Sequence, residues 1–173
     1  MNYLTTVAII PIYDSNGNNC TRLILDNGTE ELIDMPISRF IDEMYATFHT
    51  SYSANAKWAS SYLLEKNTPP LLFDAHHVFL RCQTRSHVTK GDGCYGYISL
   101  FAVDKIESTT LFLSNGAQIS TCSTFKQLTK YFQQATLLYC IYSGTLGPSR
   151  ILPLHTDHLL RDLSRNLRTR VSH

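Results

Sequence analysis

The chain has 173 residues, 43% hydrophobic and 17% charged, long enough for one ordinary core and too apolar for a disordered segment. That excludes a large multidomain enzyme, and five cysteines scattered without a C-x-x-C pair argue against a disulfide framework. The formal charge is only +1, but residues 1–43 carry seven acids against two bases, and no acid occurs between Ser108 and Thr156, so the total conceals an acidic start and a base-rich remainder.

In chain order, the first 35 residues read as a meander. Val7–Tyr13 and Thr21–Leu25 are β-rich, Asp26-Asn27-Gly28 is a strong hairpin turn, and Glu31–Met35 is the returning strand. Pro36 suits a first helical turn, and Ile37, Phe40, Ile41, Met44, Tyr45 and Phe48 recur at three and four, predicting an amphipathic helix. Residues 51–66 read equally as helix or ordered loop, and Pro69-Pro70 ends any helix by Thr68. Leu71–Phe73 and Val78–Cys82 are expected strands, Gln83–Gly93 a basic loop and Tyr95–Val103 one strand. Thr109–Leu113 and Ala117–Thr121 flank the turn Ser114-Asn115-Gly116 as a second hairpin. Thr124 and Gln127 form a capping box ahead of a helix that Gly144 stops. A last helix is expected from about Thr156, with leucines on one side and Arg161, Arg165 and Arg168 on the other.

Strands and helices thus segregate, so the expected class is α+β: short antiparallel strands and hairpins with separate helices, as a single compact domain over 1–150. Residues 151–173 are expected as a C-terminal amphipathic basic helix suited to packing or self-association. The apolar runs at 7–12 and 137–142 are too short for a membrane span. With no Lys or Arg before Arg22 to start a signal peptide, a cytoplasmic location and reduced cysteines are expected.

Few residues offer catalytic or metal chemistry. His76-His77 is adjacent rather than i, i+4, and His155-x-x-His158 lacks the Glu of a zincin helix, so neither a metal nor another cofactor is expected. Cys94 lies among Gly91, Gly93 and Gly96; as a nucleophile it needs His76 or His87 folded over it, whereas the plain reading is a small buried residue opening a strand. An enzyme is not the expectation.

The segment from Phe48 to Asp74, with Val78-Phe79-Leu80, Cys94-Tyr95-Gly96-Tyr97-Ile98-Ser99 and Leu111-Phe112-Leu113-Ser114-Asn115-Gly116, resembles the competence transcription factor (ComK) family in block order and spacing. The resemblance covers about residues 36–142. It implies a bacterial cytoplasmic activator of DNA-uptake genes that binds duplex DNA at paired A/T-rich boxes as a dimer of dimers and is controlled by a proteolytic adaptor. In the narrow, negative minor groove of such DNA a few Arg, Lys and Asn side chains suffice. Ala54-Asn55 stands where the family usually has Gly-Arg, and Asn67 where it has His. The expected DNA contacts are Lys57, Lys66, Arg81, Arg85 and Lys90, with Asn55 as a minor-groove hydrogen-bonder. The rival binding mode is a single-stranded DNA or RNA module, for which 8 Phe, 10 Tyr and Trp58 supply stacking surfaces.

Overall fold

A computed structural model describes residues 3–63, 69–86 and 93–145. The expected helix after Thr156 lies outside them. The chain divides into two units, residues 1–139 and 140–173, and the architecture below is that of the first.

The meander forms as β1 (Thr6–Tyr13), β2 (Asn19–Leu25) and β3 (Glu30–Ile33). The first turn is built on Asp14, whose carboxylate accepts the N–H of Asn16 at 2.8 Å and of Asn18 at 2.7 Å, an Asx arrangement that replaces missing ladder bonds. In the second, the Gly28 N–H donates to the Leu25 carbonyl at 2.9 Å and the backbone turns through φ +82°, where a side chain would be strained.

Helix α1 (Ile37–Thr47) follows Pro36 and buries Ile37, Phe40, Ile41, Met44 and Tyr45, the stripe its spacing predicts. Each such side chain contributes about 2 kcal/mol by leaving water. The helix ends where His49 adopts φ 55° and the Thr50 N–H reaches back to the Tyr45 carbonyl at 3.0 Å. Ser51 then caps α2 (Tyr52–Ser60) by accepting the Ala54 N–H at 3.2 Å. The first part of the ambiguous segment is therefore helix.

Next come β4 (Leu71–Leu72), β5 (Val78–Gln83) and β6 (Tyr95–Ser99). The single strand expected over 95–103 is two: a 3-10 turn at Leu100–Ala102 separates β6 from β7 (Val103–Glu107). Alternation shows that residues are extended but not which sheet they join, and here the chain changes sheet. Strands β8 (Thr110–Leu113) and β9 (Gln118–Ser120) make the second hairpin. Helix α3 (Phe125–Tyr142) starts on the predicted capping box, with the Thr124 N–H on Gln127 Oε1 at 2.8 Å and the Gln127 N–H on Thr124 Oγ1 at 3.3 Å.

The class is α+β. One antiparallel sheet runs β3-β2-β1-β6-β5-β4 and a second runs β7-β8-β9. Alternation sends Ile9, Leu23, Phe79 and Tyr97 to the core that holds α1. Ala8, Ile10, Ile24, Leu80 and Ile98 go to a second core with Leu111, Leu113, Ile119, Leu128 and Leu138 from β8, β9 and α3. The central strands of the six-stranded sheet are therefore buried on both faces, which explains why they read as continuous apolar runs.

Candidate nucleic-acid interface

Three of the expected contact residues make contacts within the scaffold. Asn55 was expected at a groove, but it lies on the inner side of α2 at 6% exposure. Its Nδ2 donates to the Pro70 carbonyl at 3.0 Å and its Oδ1 accepts the Leu72 N–H at 3.3 Å. The amide is engaged at both ends in tying α2 to β4, and a buried amide must be so engaged because leaving it unbonded is costly.

Arg81 is likewise turned inward. The strand V-F-L-R-C-Q is buried from Val78 through Cys82, and Arg81 is 7% exposed. Its guanidinium lies over the ring of Tyr131 at 4.5 Å and near that of Tyr95 at 5.5 Å. Burial pushes the Tyr52 phenol up, and the Arg81 charge draws it partly back. Arg81 is thus a cation held among tyrosines of α2, β6 and α3, attracted by their electron-rich faces. A charged residue inside an otherwise apolar strand was the signal for this in the sequence.

Arg85 is a clasp. Its Nε donates to the Gly93 carbonyl at 2.7 Å, one Nη donates to Asn19 Oδ1 at 2.5 Å, and the guanidinium stacks over Tyr13 at 3.9 Å. With the Thr84 N–H on the Cys94 carbonyl at 2.9 Å, it closes the stem between β5 and β6. Lys66 and Lys90 lie outside the described residues, as does His87.

Lys57 is exposed on the outer side of α2 with Ser53, Ala54 and Ser61. Its neighbours along that side are small, and α2 contains no acid. Trp58 and Tyr62 meet edge-on at 5.4 Å beside it. The expected contacts do not include α3, whose opening turns expose Phe125, Lys126, Gln127 and Lys130 and which also contains no acid. The acid-free run from Ser108 was the available signal. Elsewhere, Arg22 pairs with Glu30 at 3.6 Å, Arg39 with Glu43 at 3.2 Å and Lys105 with Glu107.

Nucleophilic chemistry at Cys94 has no support here. The residue is buried, and burial pushes its thiol up, offset only in part by a backbone hydrogen bond and the Arg85 charge, whereas a nucleophile needs the opposite shift. Among the described residues, no three His, Cys, Asp or Glu side chains gather as a metal site, and no helix is long and apolar enough to cross a membrane. Searches against protein-family models, curated proteins and solved structures found no match to this chain.

Proposed function

We propose that this chain is a duplex-DNA-binding regulator that meets the phosphate backbone with the acid-free outer surfaces of α2 and α3. The observation that carries the reading is the combination of exposed Lys57 with exposed Lys126 and Lys130 on two helices that contain no acid. Phosphate attraction is additive and long in range, and the small residues around Lys57 let the helix approach closely. The resemblance in block order to the ComK family extends the proposal to paired A/T-rich boxes, a homo-oligomer on DNA and control of competence genes.

Fluorescence anisotropy of the full chain on an A/T-rich duplex, over a salt series, tests it. Three phosphate contacts per protomer give a slope of log K on log salt of about −3. Lys57→Ala should weaken binding by about 1 to 3 kcal/mol with an unchanged thermal midpoint, since an exposed lysine carries little stability. A slope near zero overturns the proposal. The Trp58–Tyr62 pair favours the second reading, a single-strand binder that stacks bases on these rings; tighter binding to oligo-dT than to the duplex would select it.

A further inference from the structure

The two edges of the six-stranded sheet are treated differently. On the β4 side the edge is short, and where β4 stops the exposed backbone of β5 is covered: the Cys122 N–H donates to the Gln83 carbonyl at 2.7 Å and the Gln83 N–H donates to Ser123 Oγ at 3.0 Å. On the other side β3 is the terminal strand, pairing with β2 through Thr21↔Ile33, Arg22↔Leu32, Leu23↔Glu31 and Ile24↔Glu30. The Leu25 N–H donates to the Thr29 carbonyl at 2.9 Å, so Thr29 faces β2. Backbone direction alternates along an antiparallel ladder, so Glu31 and Ile33 also face β2 while Glu30 and Leu32 turn their N–H and C=O outward. Leu32 is 60% exposed, a large apolar side chain on the strand whose backbone groups point away from the sheet.

We infer that β3 is a docking edge for an extended basic segment of a partner protein, which adds to the sheet as a further antiparallel strand. Strand addition draws its affinity from main-chain hydrogen bonds and its specificity from side chains beside the edge. Here those side chains are Glu30, Glu31, Leu32 and Ile33 in succession, with Asp34 just beyond. Opposite side chains on neighbouring strands interact directly, so the matching antiparallel strand carries two apolar residues followed by two Lys or Arg. The same acids exclude a second copy of β3, because self-pairing brings glutamates together, and they exclude a polyanion. Charges on an edge thus prevent promiscuous pairing while admitting one class of partner by complementary charge. The inference is independent of the DNA-binding proposal.

The test is titration of the isotope-labelled full chain with the blocked peptide Thr-Val-Val-Lys-Lys-Thr, followed by amide NMR. The expected result is shifts confined to β2, β3 and α1, with slowed hydrogen exchange at Glu30 and Leu32. The reversed order, Thr-Lys-Lys-Val-Val-Thr, and a peptide with Glu for Lys should bind at least tenfold more weakly. Leu32→Lys should lose at least tenfold in affinity, and Glu31→Lys serves as the second variant should the first lose its fold. Equal binding by the control peptides or by either folded variant, or shifts centred on another part of the molecule, would overturn the inference.

Discussion

At the scale of single residues, the polar side chains that matter most for stability are the ones that hold elements together. Asn55 joins α2 to β4 by two hydrogen bonds at 3.0 and 3.3 Å. Asn55→Ala removes both and strands the Pro70 carbonyl and Leu72 N–H, so it should cost about 2 to 3 kcal/mol, read from urea unfolding. Asn55, which stands where the resembling family usually has the Arg of a Gly-Arg step, faces inward at 6% exposure. Arg81 shows the related case of a cation that the fold accommodates with aromatic faces at 4.5 and 5.5 Å. A lone sequence does not reveal whether a charge in a strand points to solvent or to such a nest.

At the scale of elements, the turn between α1 and α2 carries strain. His49 has φ 55°, a conformation costing a non-glycine residue about 1 to 2 kcal/mol, and it is exposed, so no packing depends on its ring. His49→Gly should stabilise the protein by up to about 1 kcal/mol, the relief of strain exceeding the added chain entropy of glycine; a lowered urea midpoint would contradict this. The elements themselves were largely legible. The Asn-Gly turns, the stripe from Ile37 to Tyr45 and the Thr124/Gln127 box each state a local geometry, and each appears as read. What was not legible depends on distant residues. The break after Ser99 goes with the burial of Leu100 in the second core, and the inward turn of Asn55 and Arg81 is set by β4 and α3. Lys57 stayed outside because its neighbours on α2 carry no apolar stripe that would compete to bury it.

At the scale of the whole molecule, burial of titratable groups in the cores predicts the response to alkali. Burial pushes the Cys82 thiol up to about 12 and raises the Tyr45 and Tyr97 phenols well above their ordinary value. Groups whose folded values lie above the unfolded ones lend stability that is complete below the unfolded values, near 9 for the thiol and 10 for the phenols, and lost as pH rises beyond them. Unfolding free energy should therefore hold level up to about pH 9 and fall steeply above it, with phenolate absorbance at 295 nm for Tyr45 and Tyr97 rising only as the circular dichroism of the fold is lost. Phenolate signal from all ten tyrosines in a still-folded chain would contradict it. The strand order also has a consequence in time. β1, made first, lies between β2 and β6, pairing Ala8 with Ile98 and Ile9 with Tyr97. At ribosomal rates of roughly 5 to 20 residues per second, the residues that separate them take about 4 to 17 s to emerge. Throughout that interval one flank of β1 has no partner strand. The β3-β2-β1 half of the sheet, and the β5-β4 pair made after it, are joined only when β6 leaves the ribosome to fill the place between β1 and β5.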